Sequence, residues 1–282
     1  MTRAVRLLVR SVCFMLVVPL ILVVGRPASP APAYRLVQPG VLLVATYGSA
    51  APALTVLPND QLGALDGALL TAFAKDHGLK IKLYQTTFAS VILAVEQGKV
   101  DVGTYYYYKP ERAQQVYYTY PFYQERATLF TLRTFPYAGP DSLKGRRVAT
   151  VIGYVWATYL QQAFGSSAVL FPDSAGAETA LLNGQIEGYV NSDDSVNGPV
   201  FSAADGRVAA HLLKAGDFGF PESVIATPAY NFVKCDNKPL AAALNDEMTK
   251  LHTTGQWAKV LAANKLTSAS DIPLEAPPQL CH

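Results

Sequence analysis

The sequence predicts an α/β fold built as two similar lobes. Short β-type runs alternate with helical patterns from Gly40 onward, one such unit in the first half is echoed in the second, and extended stretches join the halves. Length agrees, because a 282-residue chain with half its residues apolar outgrows most single cores even after an N-terminal segment is set aside.

That segment comes first. Arg3, Arg6 and Arg10 precede the apolar run 12–24, and small residues and prolines follow as far as Ala31-Pro32-Ala33, so residues 1–33 read as a cleavable secretory signal peptide. The run is shorter than the roughly 20 residues a spanning helix needs, and Cys13 lies inside it. Losing this segment changes the balance from 23 basic and 21 acidic side chains to 19 and 21, a net charge of about −2 that offers nothing to nucleic acid.

In the mature chain, 41–46 reads as a buried strand. Asp66 is placed to cap a helix with Leu65, Leu69, Ala72 and Phe73 on its apolar face and Gly78 as its stop. A strand at 80–84 follows, then a helix with Phe88, Ile92 and Val95 on one face and Gly98 at its end. The next strand, 100–105, runs into a polar loop. The related unit is a strand at 145–152, a helix at 155–164, a strand at 168–171 and a helix at 174–183 ended by Gly184. The run 95–101 (Val-Glu-Gln-Gly-Lys-Val-Asp) is echoed at 182–187 as helix end, glycine, polar residue, aliphatic and acid. Residues 128–133 and 230–234 are the two extended crossings. The last helices begin near Pro239, use Leu240, Leu244, Met248 and Leu251, break at Gly255 and resume through Trp257 and Leu261. Two crossings return those helices to the first lobe, giving 38–131 with 232–265 as lobe 1, 132–231 as lobe 2 and 266–282 as a tail.

Cys235 and Cys281 remain after the signal, and an even pair in an oxidising compartment is most simply a disulfide that pins the Pro-rich tail. Metal binding by Cys235, Cys281 and His282 lacks four-ligand spacing. His77, His211 and His252 add no metal pattern, and no Ser-His-Asp order, phosphate-cradling loop or paired-cysteine redox motif stands out. Catalytic residues, metals and cofactors are therefore not expected.

Several motifs in order carry a resemblance over nearly the whole mature chain: Leu65-Asp66, the run 97–101, Lys109-Pro110-Glu111-Arg112, Tyr120-Pro121-Phe122-Tyr123, the run 143–148, Leu182-Asn183-Gly184 and Thr254-Gly255-Gln256-Trp257. In these the chain resembles the extracytoplasmic solute-binding proteins of ATP-driven polar amino-acid importers, bacterial solute-binding protein family 3. The resemblance implies a periplasmic binding protein type II fold with a two-strand hinge. It also implies a monomer in the periplasm that passes a small-molecule ligand to an ABC transporter permease.

In that family the arginine matching Arg112 holds the ligand's α-carboxylate, a task suited to the two parallel hydrogen bonds of a guanidinium. A surface arginine paired with Glu111 or Glu125 is the alternative. Strand alternation in the tract 105–108 points Tyr105 and Tyr107 one way, as possible cleft walls, and Tyr106 and Tyr108 the other. Tyr47 stands where the family has an acid for the ligand ammonium, and Ala50 replaces an aromatic. Gly153-Tyr154-Val155 lacks the family's small hydroxyl, although backbone amides at a helix start would still receive an anion. Asp193 and Asp194 follow the strand at 186–190 and are candidates for a cationic group, or else cap a helix. The same resemblance extends to periplasmic dehydratases of cyclohexadienyl carboxylates and to sensory or assembly partners without a permease, and both stay open.

Overall fold

Val41–Thr46 forms β1, whose inner half, Val44 to Thr46, is fully buried, as expected of a parallel strand covered on both faces. The computed structural model describes residues 33–48, 53–58, 61–266 and 272–281. Apart from Ala33, the segment read from sequence as a signal peptide lies outside these, as do Ala50 and His282.

β2 (Thr55–Leu57) and β3 (Gln61–Gly63) pair antiparallel in a small separate sheet. α1 (Ala64–Asp76) buries Leu65, Leu69, Leu70 and Phe73. Its N-cap is Gly63, which corrects the expected cap: Asp66 lies inside the first turn, buried and facing Asn231. β4 (Lys80–Gln85) pairs parallel with β1, α2 (Phe88–Glu96) follows, and β5 (Val102–Tyr107) runs two residues later than the spacing suggests, buried along its whole length. A single turn, α3 (Pro110–Ala113), leads to β6 (Val116–Leu132), the longest strand.

The second lobe contributes β7 (Val148–Val151), α4 (Ala157–Phe164), β8 (Ala168–Phe171), α5 (Ser174–Leu182), β9 (Gly188–Ser192), α6 (Pro199–Ser202) and β10 (Val208–Leu212). The chain returns through β11 (Ala226–Lys234) to α7 (Lys238–Thr253) and α8 (Gln256–Ala263). Leu240, Leu244, Met248 and Leu251 of α7 and Trp257 and Leu261 of α8 join the first lobe's core. A second, smaller cluster around Phe130, Leu181, Tyr189 and Phe201 packs one part of the other lobe, whose remaining core, with Leu143, Val148 and Leu160, is continuous with the first.

The strands run in the order β4-β1-β5-β11-β6-β9-β7-β8, with β10 also on β6. β6 is the strand both lobes share. It pairs with β11 from Val116 to Arg126, and from Ala127 onward it pairs with β9 and β10. The extended stretches seen in sequence are thus ends of much longer strands. Pro121 and the polar run after Tyr123 masked the rest, and Pro121 sits opposite Tyr230, where the ladder shifts register. At Gly103 the ring of Phe232 fills the place of a side chain, so that an added Cβ would lie 2.3 Å from it.

Cys235 and Cys281 are joined as a disulfide, with Cα atoms 5.7 Å apart. Beside it the Gln279 side chain accepts from the Tyr118 amide at 2.9 Å and donates to its carbonyl at 3.1 Å. The tail is thus tied by one covalent link to the residue after β11 and by two polar links to β6.

Candidate interlobe ligand site

The carboxyl end of β5, the loop before α3, the loop before α4 and the start of α2 converge between the lobes. This is where loops of open α/β sheets form binding crevices. Tyr47, Phe88, Tyr105, Tyr107, Arg112, Tyr154 and Val155 enclose a cavity of about 20 Å³, room for about one water. Five of the seven residues named from sequence therefore share this cavity. Phe88 and Val155 were not among them; Phe88 was assigned only to a helix core.

The rings pack tightly. Tyr47 stacks on Tyr105 at 6.2 Å between centroids and meets Phe88 edge-on at 4.9 Å, and Phe88 meets Tyr154 across the cleft at 4.8 Å. Tyr47 donates its hydroxyl to the Tyr105 carbonyl at 2.9 Å, and Tyr154 lies 3.3 Å from the Ser174 hydroxyl. Tyr106 and Tyr108 take the other side of the tract: Tyr106 stacks on Phe88 at 4.1 Å and Tyr108 leans on Tyr118. Burial drives the hydroxyls of Tyr47, Tyr105 and Tyr107 well above the ordinary tyrosine range, so these act as neutral donors. Tyr105 holds a left-handed backbone, φ 57°, which a bulky residue tolerates only where its surroundings enforce it.

Arg112 is buried, with its guanidinium 5.4 Å from the centre of the Phe88 ring and 4.9 Å from that of Tyr106. It donates to the Tyr107 carbonyl at 2.9 Å and, across the cleft, to the Gly153 carbonyl at 2.7 Å. Neither Glu111 nor Glu125 forms an ion pair with it, so the surface-arginine alternative does not describe this structure. The expected anion seat at 153–155 is also altered. Gly153, at φ 85°, turns its carbonyl toward Arg112, while the Tyr154 amide is used in a turn onto Val151.

The two aspartates part company. Asp193 is partly exposed and accepts from the Arg126 amide at 3.0 Å, fastening the loop to β6. Asp194 is buried, accepting from Ser192 at 2.6 Å and Tyr123 at 2.8 Å, and burial lifts its carboxyl to about 7. Glu125 is buried beside it, accepts the Tyr105 hydroxyl, and has a carboxyl raised by burial first and by Asp194 second. Sequence reasoning had left Glu125 on the surface; its only signal was an acid set in an otherwise aromatic strand.

A groove of about 980 Å³ adjoins the cavity, since Val155 lines both; Lys109, Gln124, Tyr159, Tyr230, Pro273 and Pro277 are among its walls. Among the described residues there is no cluster of three or more potential metal ligands, and no helix is long and apolar enough to cross a membrane.

Known proteins share this architecture. A probable histidine-binding protein of Campylobacter jejuni is 24% identical over 191 residues, covering 67% of this chain and 74% of the relative. The crystal structure of the substrate-binding protein of an amino-acid ABC transporter superposes with a TM-score of 0.71 at 19% identity, over 79% of this chain and 98% of the other. A histidine kinase sensor domain with similarity to periplasmic binding proteins follows at a TM-score of 0.68 and 21% identity, over 79% and 95%. Residues 42–264, nearly all of the two lobes, match a single family description, and on that breadth the chain belongs to the bacterial extracellular solute-binding proteins, family 3.

Proposed function

We propose that this protein captures a small polar, carboxylate-bearing, amino-acid-like solute between its lobes. It then presents the solute, as a periplasmic monomer, to the permease of an ABC importer. The lobes are taken as 38–131 with 232–265 and 132–231. The observation that carries this reading is the convergence of Tyr47, Tyr105, Tyr107 and Arg112 from one lobe with Tyr154 from the other on one cavity beside an open groove.

The cavity, about 20 Å³, is smaller than an amino acid. Binding then requires the lobes to part along β6 and β11 and the rings to yield, and the ligand's contacts must outweigh the ring packing they replace. Arg112 spends two of its N–H groups on carbonyls and keeps the others for a carboxylate. The protein binds the solute without altering it.

A thermal-shift screen of the oxidised protein against amino acids, aromatic carboxylates, amines and small organic acids tests this. Binding raises stability by RT ln(1 + [L]/Kd), about 2.7 kcal/mol at a hundredfold excess over Kd. The ligand should be recovered unchanged after incubation. Its conversion to a product would make the protein an enzyme, and silence across the panel would reject solute capture.

A further inference from the structure

The groove beside the tyrosine-walled cavity has a volume of about 980 Å³. Sites for small molecules run from about 300 to 1,000 Å³, so it has room for more than one amino acid. Four parts of the fold supply its walls: Lys109 and Glu111 at the start of α3, Gln124 and Tyr230 on the hinge strands, Tyr159 on α4 of the second lobe, and Glu275 on the tail. The disulfide at Cys281 and the bonds of Gln279 to Tyr118 hold the tail wall in place. Only Val155 is common to groove and cavity, so the groove is a space of its own.

Among the described residues three charged side chains line the groove, Lys109, Glu111 and Glu275, and none of them forms an ion pair. Lys109 is half-buried, whereas Glu111 and Glu275 are exposed. Burial first and the Arg112 charge second lower the Lys109 ammonium to about 8, as befits a cation that lacks an anion. Gln124 adds a side-chain amide, which both donates and accepts. Tyr159 and Tyr230 add ring surfaces, and Pro273 and Pro277 further apolar ones. Grooves walled by aromatic rings suit extended peptide chains. A ligand that answers every one of these groups has a carboxylate, an ammonium, an amide between them and an apolar body.

We propose that the groove binds a short peptide, its C-terminal carboxylate at Lys109 and its N-terminal ammonium at Glu275, with Gln124 on a peptide bond between them. This goes beyond capture of a solute in the cavity and does not rest on it. The cavity takes a ligand only when its rings yield, whereas the groove is open as it stands. A single amino acid carries both charges on one carbon and fills a small part of this volume, so the groove prefers the peptide.

The test is titration calorimetry on the oxidised protein with the tripeptides Ala-Pro-Tyr and Ala-Ala-Ala, their C-terminal amides, their N-acetyl forms, and L-arginine. At least one free tripeptide should bind. Amidation should weaken it about tenfold and acetylation about threefold, because the half-buried lysine contributes more than the exposed acid. Lys109→Gln should weaken the free tripeptide about tenfold and bind it no better than its amide, and Glu275→Gln should no longer distinguish it from its N-acetyl form. Neither side chain is in the core, so both variants should melt as the parent does. Parent-like affinity in either variant, or equal binding of either blocked form by the parent, overturns the two-ended site. Silence to both tripeptides overturns it whatever L-arginine does, and binding of L-arginine alone leaves solute capture standing.

Discussion

Arg112 donates to the carbonyl of Gly153 at 2.7 Å, and with this bond one lobe holds the backbone of the other. A second bond at 2.9 Å to the Tyr107 carbonyl fixes the guanidinium in place. Hydrogen bonds from a charged donor contribute about 1.5–3 kcal/mol each, and truncation leaves buried carbonyls unmet. Arg112→Ala should therefore lower unfolding free energy by about 2–3 kcal/mol, read by denaturant titration. It should also enlarge the radius of gyration in small-angle scattering. Arg112→Lys recovers little, because an ammonium lacks the planar fork that reaches two carbonyls at once. A variant as stable and as closed as the parent would show that the bridge does not hold the lobes.

Acidity should strengthen the fold. Burial holds Asp66 and Glu178 up to about 8 and Asp194 up to about 7, whereas unfolded carboxyls titrate near 4. The folded state binds these protons more tightly, so their contribution is complete below the unfolded values and is lost as pH rises toward 8. With about 1.4 kcal/mol per unit for each group, stability should fall by at least about 2 kcal/mol between about pH 5 and 8. Asp66→Asn should flatten the slope. Equal stability at both ends of that range would contradict the buried, protonated state.

The disulfide closes a loop of 46 residues around the last two helices. In the chain-entropy account such a link contributes about 3–4 kcal/mol. Cys235→Ser or Cys281→Ser should cost that amount, and limited proteolysis should then cut the released tail near Pro273 first. Protection of the tail in the reduced protein would mean that Gln279 and its two bonds to Tyr118 suffice.

Gly103→Ala is the smallest change with a large expected effect. Its Cβ would stand 2.3 Å from the Phe232 ring, between β5 and β11, the strand that carries the chain back into lobe 1. Overpacking of this kind costs about 1–3 kcal/mol. Phe232→Leu in the same background should restore part of it, and absence of that rescue would place the cost elsewhere.

What the sequence made legible was local. Glycine-stopped helices, the apolar faces of α7 and α8 and the repeated unit of each lobe follow from periodicity, and the observed elements fall within a few residues of those readings. Tyr47, Tyr105, Tyr107, Tyr154 and Arg112 were singled out by resemblance, and all line one cavity. Glu125 and Tyr123 were not legible as a pair with Asp194, because that pairing exists only once β6 passes β9 in register. The left-handed Tyr105 was equally hidden, since tyrosine carries no turn signal and the strain comes from its neighbours. Nor does Arg112's sequence position say that two carbonyls would claim it.

The place of β11 in the sheet has a temporal side. It lies between β5 and β6, yet it follows them in the chain by way of the entire second lobe. As the chain is made, β5 and β6 stand apart around a vacant slot until Ala226–Lys234 arrives. The second lobe, unbroken in sequence, can assemble early, while the first is completed by a strand from near the end. Long-range pairing of this kind slows folding. A nascent chain thus stays pliable until most of it exists.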